Sequence, residues 1–172
     1  AREEEAALRH GRHIHRLLEH LPGSDRTADA ARRILFSGPD PAFPSEIPAL
    51  LSEATGVLDA QPQLFNGNGL AEIDLSAHLP TLDQRIVGIL DRLVITNDAI
   101  TAIDFKTNDA VPDKPQDVPE GILRQMGAYL EALEQIYPDR PIVLQILWTK
   151  TATITDLPHG IVRQALARST TS

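Results

Sequence analysis

The sequence contains no cysteine. Disulfide bonds, thiolate zinc sites and cysteine-ligated iron–sulfur clusters are therefore excluded. The chain also lacks an apolar run long enough to span a bilayer, and its first residues do not have the pattern of a secretory signal peptide. Together these absences fit a cytoplasmic protein that has no membrane partner.

Positive charge is scarce as well, since 16 lysines and arginines stand against 24 acidic residues, for a formal net charge of −8. This balance argues against a protein that coats nucleic acid, because such proteins are normally basic. It leaves open an enzyme that meets DNA at one site, because acidic metal ligands add negative charge that a bound cation offsets.

The length of 172 residues suits one domain with a sizeable core. The chain begins at Ala1, and its single methionine is Met126. We therefore expect a piece cut from a longer chain, although a protein with a processed initiator methionine would begin in the same way.

The stretch from 85 to 107, RIVGILDRLVITNDAITAIDFKT, predicts two short apolar strands joined by a tight turn at Asn97–Asp98. In a two-residue hairpin turn Thr96 pairs with Ala99, and every pair farther from the turn follows from that one. Side chains alternate between the two faces of a strand, so the register also decides which side chains face one another.

Counting outward from this turn places Asp91 directly opposite Asp104. Facing carboxylates repel each other, so their presence in an apolar strand pair favours a divalent cation between them. Lys106 lies two residues beyond Asp104 and points to the same face. Two acids and a lysine at one spot indicate metal-assisted phosphodiester hydrolysis. The alternative is a pair of solvated carboxylates with a lysine counter-ion.

The rest of the chain predicts helices and strands around this hairpin. We expect Ser45 to cap the third helix and Ile136 to lie in the buried stripe of the fourth. Hydrophobic periodicity and breaks such as NGNG at 66–69 predict helices at 2–21, 27–36, 45–59, 119–137 and 158–168, and further strands at 70–79, 141–149 and 152–157.

The order of these elements predicts an α/β protein (α+β mixed sheet) with helices packed against the sheet. Residues 1–60 are its helical N-terminal part and residues 70–168 its mixed-sheet core. The strand at 141–149 is a continuous apolar run, which is typical of a buried strand with a parallel neighbour. The strand at 152–157 is expected at an edge of the sheet.

Four side chains outside the hairpin are candidates for the same site. His15 lies on the flank of the apolar stripe of the first helix, where it either faces a cleft or serves as a hydrogen-bonded packing residue. Glu72 comes from the neighbouring strand, and the alternative is a solvated polar face. Gln125 and Tyr129 share a helix face at spacing i, i+4, and the alternative is a boundary residue beside a core tyrosine. A zinc site of three helix histidines is excluded, because His13 and His15 point about 200° apart.

Four motifs in this chain resemble, in the same order, those of the RecB-type branch of the PD-(D/E)XK nucleases. The resemblance extends from the first helix to the strand that ends in ILWT, and it implies a restriction-endonuclease-like αβββαβ core with extra N-terminal helices. The motifs are Gly11-x-x-x-His15-x-x-Leu18-Glu19, Gly88-x-x-Asp91-Arg92, Asp104-Phe105-Lys106-Thr107 and Gln125-x-x-x-Tyr129.

This resemblance implies a ligand set for one divalent cation. His15, Asp91, Asp104 and the backbone carbonyl of Phe105 are expected to hold Mg²⁺ or Mn²⁺, since oxygen ligands with one imidazole suit these ions. The iron–sulfur cluster that some members of this branch carry is not expected, because the chain has no cysteine.

The resemblance also implies roles for side chains that do not bind the ion. Lys106 is expected to orient the attacking water and to stabilise charge on the phosphate. Gln125 and Tyr129 are expected to position the substrate strand or the nucleophile. Arg92 and Arg124 are candidates for contacts with flanking phosphates.

Within that branch, the segments AEIDLSA, GILDRLV, IDFKT, RQMGAYLEAL and ILWT are similar to the C-terminal nuclease domains of AddA-type helicase–nucleases, which act at DNA double-strand breaks. This similarity implies a bacterial exonuclease-type domain, a helicase region before Ala1, a single DNA strand as substrate and an AddB-like subunit as partner. The alternatives are an inactive nuclease-fold scaffold that binds DNA or a partner subunit, and a stand-alone phage-type exonuclease.

Overall fold

The structure, a computed structural model, describes residues 1–67 and 69–170. Asn68, in the predicted break at 66–69, lies outside the described residues. No helix in the described ranges is long and apolar enough to cross a membrane. The helices and strands, in chain order, are α1 (Arg2–His20), α2 (Ala28–Phe36), α3 (Ile47–Ala60), β1 (Gly69–Leu79), β2 (Gln84–Ile95), β3 (Ile100–Lys106), α4 (Glu120–Ile136), β4 (Ile142–Trp148), β5 (Thr153–Leu157) and α5 (His159–Arg168).

The strands form one sheet in the order β1-β2-β3-β4-β5. β2 is antiparallel to both β1 and β3. β3 and β4 run in the same direction, because the Ile100 N–H donates to the Pro141 carbonyl (2.8 Å) at one end and the Thr149 N–H donates to the Lys106 carbonyl (3.0 Å) at the other. The predicted mixed sheet is therefore confirmed, with β5 at an edge.

The chain divides into two compact units that are interleaved along the sequence. Unit 1 consists of Ala1–Gly67, Phe105–Ala110 and Leu147–Thr153, and unit 2 consists of Asn68–Asp104, Val111–Ile146 and Ile154–Ser172. The division falls within β3 and within β4, so both strands contribute residues to both units.

Unit 1 is built on the packing of α1 against α2 and α3. Thr27 is the N-cap of α2, and its side-chain oxygen accepts a hydrogen bond from the Ala30 N–H (3.1 Å). Helical periodicity predicts Ala7, Ile14, Leu18 and Leu21 as the apolar stripe of α1. Ala7 is exposed, which makes that part of the prediction wrong, and Leu17 is buried in addition to the other three. The fully buried residues of that face are Ile14, Leu17, Leu18 and Leu21.

The start of α3 differs from the prediction, because Ser45 does not cap the helix. Ser45 lies inside a 3-10 turn, Pro44–Glu46, that leads directly into α3. The Glu46 carboxylate takes the capping role for this turn, since it accepts a hydrogen bond from the Phe43 N–H (2.7 Å). The Arg9 guanidinium also forms an ion pair with the Glu46 carboxylate (2.6 Å). Arg9 is distant in the sequence, so a capping rule based on neighbouring residues does not include this contact.

Unit 2 contains α4, which packs against β1 and α5. Ala77 and Leu79 of β1 form an apolar cluster with Ala132 of α4. The seam between α4 and α5 depends on Gly127, since a Cβ atom at this position would clash with the Val162 carbonyl oxygen.

The prediction that Ile136 belongs to the buried stripe of α4 is wrong. Ile136 is the last residue of the helix and is 48% exposed. The buried face ends one turn earlier, at Leu133, and it includes Leu123 and Leu130 as well as Met126. Periodicity located the face correctly but could not locate the point where the packing partners end.

Candidate active site

The hairpin of β2 and β3 has the predicted register. The Thr96 N–H donates to the Ala99 carbonyl (3.0 Å) across the turn. The pairing then continues outward to the pair of Arg92 with Ile103. In addition, the Thr96 hydroxyl oxygen accepts a hydrogen bond from the Ala99 N–H (3.2 Å), which helps to close the turn. A two-residue turn therefore fixes which side chains face one another along both strands.

The pairs between β2 and β3 end there, and the same register, continued by one step, would place Asp91 of β2 opposite Asp104 of β3. Their exposed fractions are only 8% and 3%. Two carboxylates with so little contact with water are costly to keep ionised unless they are paired, hydrogen-bonded or bound to a metal. Adjacent buried carboxylates are also the donors that a hard divalent cation prefers. The chemistry of this pair therefore fits Mg²⁺ or Mn²⁺.

Tyr129 of α4 is tied to β2 close to these acids. Its hydroxyl donates to the Ile89 carbonyl (2.9 Å) and accepts a hydrogen bond from Gln125 Nε2 (3.0 Å). The ring reaches β2 because residue 88 is glycine, and a Cβ there would lie 3.2 Å from the ring. The predicted i, i+4 pair thus forms one hydrogen-bonded unit, in which the buried tyrosine orients the half-buried Gln125.

The ionisation of Tyr129 reflects the neighbouring charges. Burial, followed by the negative charge of Asp104, raises the pKa of Tyr129 to about 12, and Asp91 contributes in the same direction. The hydrogen bond from Gln125 opposes this rise only in part. The phenol therefore remains protonated near neutral pH, and it acts as a hydrogen-bond donor to the backbone of β2.

Replacing Tyr129 by phenylalanine is expected to remove a late step from the alkaline titration of tyrosinate absorbance. An unfolded tyrosine ionises near a pKa of about 10, so between about pH 10 and 12 the unfolded chain loses this proton first and the folded state loses stability. The chain has two tyrosines, which makes Tyr137→Phe the matched control, with the late step retained. A late step that survives in Tyr129→Phe would show that another group causes it.

Glu72 of β1 occupies the position that faces Asp91 in the register. The pairs on either side are Ala71 with Arg92 and Ile73 with Leu90. Glu72 itself has a φ of 50°, in the left-handed region, and it is half-buried. Such a conformation costs roughly 1–3 kcal/mol for a residue with a side chain and is often found at functional sites. A contribution of Glu72 to the site stays a prediction.

The two predicted phosphate-binding arginines are in different surroundings. Arg92 is only 6% exposed, and burial lowers its pKa. Its guanidinium lies over Gly69, at a place that a Cβ atom of residue 69 would occupy. Arg124 is exposed on α4. Their predicted phosphate contacts stay predictions.

In unit 1, His15 packs against Phe105. The ring centroids are 5.8 Å apart, and Phe65 lies on the same phenylalanine at 5.9 Å. His15 Nδ1–H donates to the Gly11 carbonyl (2.7 Å), which leaves Nε2 as the nitrogen that carries the lone pair in the neutral ring. Metal-binding histidines commonly have this second hydrogen bond. Gly11 also allows Thr107 to approach, since a Cβ there would lie 3.2 Å from Thr107 Oγ1.

The other histidines of α1 are bonded to different partners. His13 is buried and donates to the Asp40 carbonyl (2.8 Å). His10 lies 3.0 Å from Glu53, on another side of the helix. The expectation that α1 cannot direct these rings to one zinc ion is thus consistent with the observed contacts.

Sequence reasoning missed three residues that support this part of unit 1. They are Phe65, Glu53 and Thr149, whose hydroxyl donates to Glu53 (2.8 Å). Burial alone would raise the pKa of Glu53, but hydrogen bonds from His10 and Thr149 outweigh it and the pKa is lowered. Thr149 also fixes the end of β3 through the Lys106 carbonyl. Of the three, only Thr149 had a signal, since it ends the ILWT segment.

The profile of the PD-(D/E)XK nuclease superfamily matches residues 1–168. The chain belongs to this superfamily. Its members are generally metal-dependent nucleases, so hydrolysis of nucleic acid is the activity that membership indicates. The mixed sheet with flanking helices agrees with a PD-(D/E)XK nuclease core.

Other comparisons add little to the superfamily assignment. The crystal structure of SSO0001 is similar, with 16% sequence identity and a TM-score of 0.41, over 74% of this chain and 63% of that one. This likeness is too remote to indicate a substrate or a mechanism. No curated protein matches this chain with statistical significance.

For a PD-(D/E)XK nuclease, the donors of the metal site are the central question. Within residues 1–67 and 69–170, no three histidine, cysteine, aspartate or glutamate side chains are grouped to hold an ion. Asp91 and Asp104 belong to unit 2, whereas His15 and Phe105 belong to unit 1 together with Lys106. That both sets serve one ion remains a prediction.

Proposed function

We propose that this chain is the exonuclease-type domain of an AddAB/RecBCD-like helicase–nuclease, and that it hydrolyses phosphodiester bonds in a single DNA strand with Mg²⁺ or Mn²⁺. The observation that carries the proposal is the burial of Asp91 and Asp104 on neighbouring strands, where the hairpin register, continued by one pair, would set them opposite each other. Lys106 follows Asp104 on β3. Membership of the PD-(D/E)XK superfamily supports the reaction class.

The proposed ligands are Asp91, Asp104, His15 Nε2 and the backbone carbonyl of Phe105. The hydrogen bond from His15 Nδ1 to Gly11 supports Nε2 as the ligand atom. Two carboxylates, one imidazole and one carbonyl leave room for water, as Mg²⁺ requires. When bound, the ion would polarise the phosphate and lower the pKa of water by several units.

The remaining residues act on the substrate and on the geometry of the acids. Lys106 supplies a cation on the same face of β3 as Asp104, where it stabilises the charge that grows on the phosphate oxygens. Tyr129 and Gln125 are positioning residues in this proposal, because the phenol is bonded to the Ile89 carbonyl two residues before Asp91. Arg124, exposed on α4, is available to flanking phosphates.

The proposed context is double-strand break repair in the bacterial cytoplasm. The segments GILDRLV, IDFKT and RQMGAYLEAL support an AddA-type nuclease domain, in which a helicase delivers single-stranded DNA and an AddB-like subunit is the partner. The formal charge of −8 agrees with this division of labour, since other segments would supply most of the basic DNA track. In this proposal residues 1–172 act as one nuclease domain.

The experiment that tests the proposal is degradation of single-stranded DNA by the chain with Mg²⁺, Mn²⁺ or EDTA. Cleavage is expected only with a divalent cation, and Lys106→Gln is expected to reduce its rate about 100-fold or more. Lys114→Gln, in an exposed loop, is the matched control and should retain the rate. If neither the chain nor a complex with its partner subunit cleaves DNA, the proposal fails, and an inactive scaffold takes its place.

A further inference from the structure

A pocket in unit 1 carries positive charge although the chain as a whole is acidic. Its volume is about 340 Å³, at the lower end of the range for ligand sites. Two arginines, Arg16 of α1 and Arg33 of α2, line it together with the hydroxyls of Ser24 and Ser37. No carboxylate belongs to the described lining, so the pocket walls favour an anion.

Arg16 is held in a fixed position at this pocket. Its Nε–H donates to the Ile34 carbonyl (2.8 Å) and its Nη2–H to Ser37 Oγ (3.3 Å). Gly38 lets the guanidinium lie close to the backbone, since a Cβ there would be 3.3 Å from Arg16 Nε. A guanidinium has five N–H donors, so several remain for a ligand after these two bonds. An ordered arginine loses less conformational entropy when it binds an anion.

Arg33 contributes charge that the protein does not neutralise. Among the described residues, neither Arg33 nor Arg16 forms an ion pair with a carboxylate. His20 also lines the pocket, but Glu19 lies 3.4 Å from its ring, so the arginines provide the charge. Four other arginines of unit 1 are each paired with a carboxylate, namely Arg9, Arg12, Arg26 and Arg32.

We infer that this pocket binds a phosphate group. Two guanidinium groups offer N–H donors to the tetrahedral oxygens of phosphate, which arginine binds through paired hydrogen bonds. The phosphate belongs either to a nucleic-acid strand or to a nucleoside monophosphate, and this choice of ligand rests on the proposed nuclease function. The pocket is separate from the predicted metal ligands, since no lining residue belongs to that set.

The test compares two neighbouring arginines of α2. Arg33→Gln removes a pocket cation that makes no ion pair, and Arg32→Gln removes one that is paired with Asp29 at 2.6 Å outside the pocket. The full chain is titrated in EDTA with a fluorescent single-stranded oligonucleotide that has no terminal phosphate, at several salt concentrations, and separately with deoxyadenosine monophosphate.

We expect Arg33→Gln to weaken binding about 5- to 10-fold at low salt and to reduce the salt slope of the binding constant by about 0.7 if the phosphate is part of a strand. Arg32→Gln is expected to leave the slope unchanged. A loss confined to the monophosphate would identify a mononucleotide site, which also supports the inference. The inference would be overturned if Arg33→Gln bound each ligand as tightly as Arg32→Gln does. It would also be overturned if the wild-type chain bound neither ligand.

Binding without metal separates this inference from the proposed function. If the chain cleaves DNA but Arg33→Gln and Arg32→Gln bind the ligands equally well, the nuclease proposal stands and the phosphate pocket is refuted. If the chain does not cleave DNA, and only Arg33→Gln has a reduced affinity, the phosphate pocket is supported and the proposed nuclease activity is refuted.

Discussion

Replacing Asp104 by asparagine is expected to lower the rate of Mg²⁺-dependent DNA cleavage by about 1,000-fold, which corresponds to about 4 kcal/mol of transition-state stabilisation. The amide has nearly the same shape but no charge, so the packing around a 3% exposed side chain is retained while a metal ligand is weakened. The measurement is the initial rate of single-strand degradation at saturating Mg²⁺.

A stability measurement makes this result specific to the carboxylate. If Asp91 and Asp104 are opposed as the continued register predicts, repulsion between the two carboxylates opposes folding without metal, and Asp104→Asn should raise the Tm in EDTA. Mg²⁺ should raise the Tm of the wild-type chain by binding to its folded state, but not that of the variant. Asp98→Asn, in the exposed turn of the same hairpin, is the control. A variant at residue 104 that cleaves DNA at the wild-type rate would refute the assignment.

Replacing Gly127 by alanine is expected to destabilise the fold by about 2–4 kcal/mol. The new Cβ would clash with the Val162 carbonyl and lie 3.1 Å from the Leu166 Cβ. Both neighbours belong to α5, and a backbone carbonyl cannot rotate away as a long side chain can. The two helices would have to separate, which removes apolar contacts along their seam. Urea unfolding measures the change.

Gly121 is the matched control in the same helix. A Cβ atom at this position meets nothing within 4 Å, so Gly121→Ala should be neutral or should stabilise the protein by up to about 1 kcal/mol. The two substitutions have the same chemistry and opposite expected signs. If Gly127→Ala is as stable as Gly121→Ala, the close approach of α5 does not depend on this glycine.

The hairpin that carries the acids could be predicted because its determinants are local. Successive side chains point to opposite faces of a strand, and the turn at Asn97–Asp98 set the register, which the structure reproduces through Thr96 and Ala99. The approximate positions of the helices followed from periodicity and breaks for the same reason.

The surroundings of the candidate site could not be predicted, because they depend on residues far apart in the chain. Phe65 touches Phe105 across 40 positions, and Glu53 binds Thr149 across 96. The i, i+4 pair in α4 was visible in the sequence, but the bond from Tyr129 to Ile89 depends on the packing of α4 against β2. Sequence patterns report faces and ends of elements, whereas these contacts arise only when elements pack.

The short turn between β2 and β3 has a consequence for how this protein can vary. An extra residue between Asn97 and Asp98 would slide one strand by a single position and turn Asp104 toward the opposite side of the sheet. Both acids would still be encoded, yet they would no longer meet. In natural variants the identity of the turn residues can therefore drift, while their number is constrained as strongly as the acids themselves.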